Sequence, residues 1–350
     1  MSRGRDAATL IAVGLIGLAV AFGLPHLVEV FVLVELTVYI VFAMLALSLA
    51  LVWGYAGILC FGQSIFFGIG GYAYTLGVMN IGESTLPVAL GVALPMLFAA
   101  VLGYFLFYGR VSDIYLGVIT LCVSLIAYNL INSMSGTEYK IGSVPIGGHN
   151  GIPGVPVLNM PGDSSRTFGF EEIFTLSLIL LVAVYIGLRA LLASQFGKVV
   201  VAIRENELRA ELLGYDARAY KLVVFVIGAA IAGLSGVLFV NWGSFIGPTV
   251  FSIFFSAQII IWIMVGGLGT LAGAIAGAVL IQWLSTWLGT NKIVDPNIVL
   301  GVIFIVLVLL VPKGLQPMLV ERFRRRRRSE TRSDTRGETR SDTTNRFGVP

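Results

Sequence analysis

Charge is scarce in this chain: Asp, Glu, Lys and Arg make up 12% of its 350 residues, about half the share of an ordinary soluble domain. So few charges cannot clothe a water-facing globule, and a soluble fold is excluded. Cysteine is also sparse. Cys60 and Cys122 both sit inside apolar runs, so neither a disulfide framework nor a cysteine-rich metal site is available. The two histidines, His26 and His149, form no H-E-x-x-H pattern, which removes a zinc-hydrolase reading. A phosphate-cradling G-x-x-x-x-G-K-[ST] loop is missing too; the nearest fragment, Gly197-Lys198, continues with Val199. No cofactor is expected in this chain, and ATP, if used, must be bound by partner subunits.

What the chain has instead is apolar length. Hydrophobic residues make up 57% of it, and a window of about 19 residues, the length that crosses the hydrocarbon of a bilayer, picks out ten stretches. They lie at 7–24, 28–52, 57–80, 85–107, 114–134, 172–193, 220–241, 251–267, 270–288 and 297–312. Lipid forces backbone polar groups to be satisfied internally, and these runs lack the alternation of barrel strands, so they are expected to be helices. The expected class is therefore all-α: a polytopic membrane protein with about ten transmembrane helices over residues 1–312.

Basic residues set the expected orientation. Of 23 lysines and arginines, 11 lie beyond residue 312. With Arg3 and Arg5 inside, ten crossings bring Arg110, the stretch from Lys198 to Lys221 and the arginine-rich tail to the same side, as the positive-inside rule requires. Both termini are then cytoplasmic. A cleaved signal peptide is the competing reading of the N-terminus, because Ala19-Val20-Ala21 fits a small-residue cleavage site.

Three segments interrupt the apolar pattern. Residues 135–170 are rich in Gly and Pro and fall on the outer side; a loop this long is usually functional or disordered. The tail, 313–350, carries the basic run RFRRRRR at 322–328, suited to anionic lipid, and continues as a polar repeat of ETRSDT with too little apolar content to fold. No aromatic platform accompanies those arginines, so no nucleic-acid partner is expected. The third segment, 194–221, is a charged cytoplasmic insertion. From Lys198 to Leu213 it contains no Gly or Pro, and Glu205 precedes Arg209 by four residues, so one short helix is expected over 198–213. Helical spacing puts Val199, Ile203, Ala210 and Leu213 on one face and Arg204, Glu207 and Glu211 on another. Gly214 suits a helix stop and Asp216 the N-cap of the next helix.

Within the membrane, Gly269, Gly273 and Gly277 recur every four residues, as do Ala229 and Gly233, a spacing that lets helices approach closely. The stretch from Gly54 to Gly77 holds seven glycines together with Gln63 and Ser64. It reads as packing or as a broken helix lining a pathway, in which case Gln63, Ser64, Gly68, Gly70 and Gly71 line it. Glu35 is the one carboxylate well inside an apolar run. It either couples transport to a cation or reaches an aqueous vestibule near the outer end. Gln258 and Gln282 read as helix-to-helix hydrogen bonds.

The run GKVVVAIRENELRAELLGYDARAYKL, followed by FVIGAAIAGLSGVLF, resembles the cytoplasmic signature of LivM-type permeases, the membrane subunits of branched-chain amino acid ABC importers, a superfamily shared with urea permeases. GQSIFFGIGGYAY at 62–74, GGHNGI at 147–152 and IWIMVGGLGTLAGAIAGA at 261–278 extend the likeness. The resemblance implies that Gly197, Arg204, Glu205, Asn206, Glu207 and Gly214 belong to the element that docks on the ATPase. It also implies a second permease subunit, cytoplasmic ATP-binding subunits, an extracytoplasmic binding protein and an inner or plasma membrane location. Leucine, isoleucine and valine are the implied solutes, with urea or a short amide as the alternative. A self-sufficient secondary transporter using Glu35 is the reading from a different class. The tail after Arg322 has no counterpart in the family pattern.

Overall fold

The computed structural model describes residues 3–136, 138–160, 163–291, 298–299 and 301–302. The tenth apolar stretch, apart from those last four residues, and the whole tail lie outside the described residues. Eleven α-helices are described: α1 Arg3–Gly23, α2 Val30–Leu49, α3 Gln63–Ile81, α4 Thr85–Tyr108, α5 Asp113–Ser133, α6 Phe170–Ala193, α7 Gln195–Glu205, α8 Glu207–Leu212, α9 Ala217–Gly243, α10 Ile253–Gly266 and α11 Leu271–Asn291. Each of the first nine apolar stretches therefore contains a helix. Seven are long and apolar enough to cross a membrane, whereas the apolar stretch Leu10–His26, which runs from α1 into the 3-10 turn after it, and α10 are shorter. The chain is a multi-pass membrane protein.

Helix α9 is the hub, packed against α2, α3 and α4; α11 and α6 flank α2, and α10 pairs with α11. Small residues decide which helices approach closely. A Cβ on Gly70 of α3 would lie 2.4 Å from the Gly233 carbonyl of α9, and one on Gly236 would lie 2.1 Å from the Phe67 carbonyl. Gly233 in turn faces Pro95 and the Gly91 carbonyl of α4. The Ala229/Gly233 spacing thus does what it predicts. The 269/273/277 stripe needs correction: Gly269 sits in the turn between α10 and α11 with φ +88°, and the contact is made by Gly266 against Gly273 and Gly277. Periodicity continued through a turn that the run of small residues concealed.

The all-α expectation holds for the bundle, and the connection outside it carries short strands. The outer loop forms short antiparallel strands: β1 Lys140–Ile141 with β2 Val144–Pro145, β4 Asn159–Met160 with β5 Asp163–Thr167, and β3 Ile152–Pro153 with β6 Phe245–Ile246. β6 follows α9, so the loop is sewn to the bundle. Asn241 of α9 adds a stitch, accepting hydrogen bonds from the Leu158 N–H at 2.7 Å and the Tyr74 hydroxyl at 2.9 Å. Asn159 reaches Ser84 and Gly82 at the α3–α4 turn. Short-range composition does not reveal the pairing of β3 with β6, since those two strands lie far apart in sequence.

Candidate functional site

At the end of the bundle opposite this cap, the polar insertion turns back under the helices. Ser194 caps α7, accepting from the Gly197 N–H at 3.4 Å, and Gly197 is buried where a Cβ would meet Leu192 Cα at 2.4 Å. The single helix expected over 198–213 is in fact two. Asn206 leaves the helical region (φ −162°, ψ 99°) and its Oδ1 accepts from the Arg209 N–H at 2.8 Å, starting α8. A short amide side chain competes for backbone donors in this way, and Gly- and Pro-free composition does not show it.

Val199, Ile203 and Ala210 face inward with Ala217. Leu213 does not join them: it is 73% exposed, because the break at Asn206 rotates α8 relative to α7. Leu208 and Leu212, one turn apart, are 67% and 81% exposed. Sequence reasoning saw a charged face here and missed this apolar ridge. The expected Glu205–Arg209 pair is replaced by others. Glu205 accepts from Arg204, and Glu207 accepts from Lys221 Nζ at 2.7 Å. Lys221, only 14% exposed, also lies 4.0 Å from Asp113 at the start of α5. Gly214 ends α8 at φ +91°, with its own N–H bonded to the Glu211 carbonyl and the Tyr215 N–H to that of Ala210, a Schellman stop. Asp216 caps α9, accepting from the Arg218 and Ala219 N–H groups. Both expectations for this corner hold.

Arg204 has a partner no local pattern reveals. Its Nη1 donates to the Gly54 carbonyl at 2.7 Å. Gly54 lies in a π-helical turn, Ala50–Tyr55, that continues α2, and residues 56–62 form a non-helical link to α3. The chain thus breaks within 54–77, as the glycine content suggested, at its beginning. Gly57 at φ +73° gives the Arg204 stem its room, since a Cβ there would stand 2.6 Å from Cγ. The guanidinium also passes close to Gly269 in the α10–α11 turn. One side chain of the insertion therefore touches the interrupted helix and sits beside a second turn.

Beyond the break lies a buried polar layer. Gln63 Nε2 donates to Ser48 Oγ at 3.0 Å and to the Gly228 carbonyl at 3.3 Å, while Cys60 Sγ approaches its Oε1 at 3.6 Å. Ser64 Oγ lies 3.0 Å from Ser124 Oγ and 2.7 Å from Ser256 Oγ. These bonds join α2, α3, α5, α9 and α10 at one level. Ser48, Ser124 and Ser256 were not singled out from the sequence; isolated serines in apolar helices carry no local signal. Gly68, Gly70 and Gly71 are helical and packed, against the Phe251 ring, the Gly233 backbone and Ile246 respectively.

Glu35 stands apart, at the opposite end of α2, and accepts a hydrogen bond from the Tyr39 hydroxyl. It lines a cavity of about 730 Å³ between α2, α9 and α11. Gln282 lines the same cavity, and its Oε1 is buried without a partner among the described residues. Nor does Gln258 make a side-chain hydrogen bond among the described residues. The described residues hold no group of three His, Cys, Asp or Glu side chains placed to bind a metal.

Comparison with known proteins agrees with this architecture. Residues 32–311 match the family described as "Branched-chain amino acid transport system / permease component". The chain is 30% identical over 289 residues to the high-affinity branched-chain amino acid transport system permease protein LivM of Escherichia coli, covering 75% of this chain and 64% of that one. It is 28% identical over 259 residues to the LivM protein of Salmonella typhimurium, covering 67% and 58%. A probable branched-chain amino acid transport permease protein LivM of Methanocaldococcus jannaschii is 29% identical over 232 residues, covering 55% and 62%. The alignments thus span under two thirds of the length of each relative. No solved structure matches. With four fifths of its length inside the matched region, the chain belongs to the branched-chain amino acid transport permease family.

Proposed function

We propose that this chain is a permease subunit of an ATP-driven importer that carries leucine, isoleucine and valine across the inner membrane by alternating access. The single observation that carries the mechanism is the Arg204–Gly54 hydrogen bond, which ties the cytoplasmic insertion to an interrupted helix. ATP is bound by separate subunits that dock on α7 and α8, and a second permease subunit and an extracytoplasmic binding protein complete the assembly. A substrate-loaded binding protein engages the β-strand cap. Closure of the ATPases then pushes the insertion, and Arg204 passes the displacement to the link at 56–62 and the polar layer around Gln63 and Ser64. The family match and the names of the relatives support the solute class.

The docking surface is the exposed ridge of Leu208 and Leu212 with Glu211 beside it. Full burial of one leucine is worth roughly 1.5–3 kcal/mol, and 1.4 kcal/mol is a factor of ten in affinity. Leu212→Asp is therefore expected to weaken ATPase association about tenfold or more without lowering folded yield; unchanged co-purification at limiting ATPase excludes α8 as the contact. Glu207 is a poorer probe, because its reversal also breaks the bond to Lys221.

In this assembly both termini are cytoplasmic and ten helices cross the membrane. Ser143→Cys is expected to react with an impermeant thiol reagent in sealed cells and Ser194→Cys only after permeabilisation. Labelling of position 194 from outside contradicts this topology. The proposed function itself is tested by reconstitution with the ATPase subunits and binding protein, followed by competition of labelled leucine uptake with isoleucine, valine and urea. Uptake without any ATPase overturns the importer reading.

A further inference from the structure

We propose that the Glu35 cavity is a binding subsite for the ammonium group of the transported amino acid. The inference rests on the amino-acid reading above for its solute class and assigns that solute a place in this chain.

The cavity lies between the outer-end turns of α2, α9 and α11, at the end of the bundle remote from Arg204. Its walls include Phe31, Phe42, Phe239, Trp242, Trp283 and Trp287. Trp242 is held in place by donating from Nε1 to the Val34 carbonyl at 2.7 Å, and the Phe239 ring lies against it, tilted by 36° with ring centroids 5.6 Å apart. Glu35 and Gln282 both belong to this lining. Glu35 has one hydrogen-bond donor, the Tyr39 hydroxyl, and no ion-pair partner among the described residues. Gln282 Oε1 is buried and has no donor among the described residues.

A carboxylate in a membrane helix is costly unless a counter-charge or water meets it, and a buried acceptor without a donor adds to the cost. The deficit of the carboxylate is met by a ligand that is cationic and carries several N–H donors. Aromatic faces around the carboxylate favour an organic ammonium, which they attract through cation–π contact while the apolar walls accept an aliphatic chain. A small inorganic cation would leave those walls unused. The volume, about 730 Å³, is ample for a free amino acid.

Three of the five tryptophans of the chain line the cavity, so intrinsic fluorescence reads its occupancy. The full chain in lipid nanodiscs would be titrated with leucine, with 3-methylbutylamine, which keeps the ammonium and the branched chain, with 4-methyl-2-oxopentanoate, which lacks the ammonium, and with sodium chloride. Saturable emission shifts are expected for leucine and the amine, and none for the oxo acid or salt. Glu35→Gln, close in shape, is expected to weaken both responses at least tenfold, and Glu35→Asp to restore part of the loss. An equal response to the oxo acid, a response to salt alone, no response at all, or unchanged titrations in folded Glu35→Gln protein overturns the proposal. ATP-dependent leucine uptake by the wild-type assembly is scored separately. Uptake with no fluorescence response defeats the subsite and leaves the importer reading intact, whereas uptake without ATPases defeats the importer reading whatever the titrations give.

Discussion

Arg204→Met is expected to reduce ATP-driven leucine uptake more than tenfold while membrane-inserted protein stays at its normal level. Methionine keeps much of the aliphatic stem that packs over Gly57 and removes the donor to the Gly54 carbonyl. An orphaned carbonyl at a partly buried site costs about 1–3 kcal/mol. That falls on the link at 56–62, whose backbone is already non-helical and which joins the insertion to the polar layer. The Val199, Ile203, Ala210 and Ala217 cluster still seats α7 and α8 on the bundle, so folding should survive. Substrate-stimulated ATP hydrolysis in proteoliposomes is the second readout. If uptake and hydrolysis both persist, the displacement travels by another route, and the contact of Arg204 with the broken helix is structural only.

The other large effect concerns the bundle itself. Gly70→Leu is expected to abolish stable protein, measured as loss of the monodisperse peak in detergent, because the added Cβ would meet the Gly233 backbone at 2.4 Å from the carbonyl oxygen and 2.5 Å from Cα. Overpacking usually costs about 1–3 kcal/mol, and more when nothing nearby can move aside. Here the obstacle is main chain of the central helix α9, which is itself wedged against Gly91 and Pro95 of α4. Relief would require α3 and α9 to separate along their shared contact. Gly187→Leu serves as the control, since a Cβ on Gly187 in α6 has no neighbour within 4 Å. It should leave yield near that of the parent. Equal recovery of both variants would mean that α3 and α9 are less tightly apposed than described.

The contrast between α8 and the end of α2 explains which parts of the site were legible in advance. Helix ends depend on side chains a few positions away, so the stop at Gly214 and the cap at Asp216 could be read from the sequence. Asn206 obeys the same chemistry, yet it lies in a run with uninterrupted helix propensity, and there the local reading chose continuation. That error carried Leu213 to the wrong face and hid the leucine ridge.

By itself the sequence determined the membrane class, the place of the long described helices and the family signature. Each of these follows from hydropathy over a bilayer's width or from residues within a few turns of one another. Tertiary structure alone decided the rest: Arg204 meeting Gly54 across 150 positions, Gln63 meeting Gly228 across 165, Ser64 meeting Ser256 across 192, and Glu35 sharing a cavity with Gln282. Such pairings depend on which helix faces are opposed, and in a bundle of uniformly apolar helices that choice is made by the close approach of small residues, which no single helix encodes.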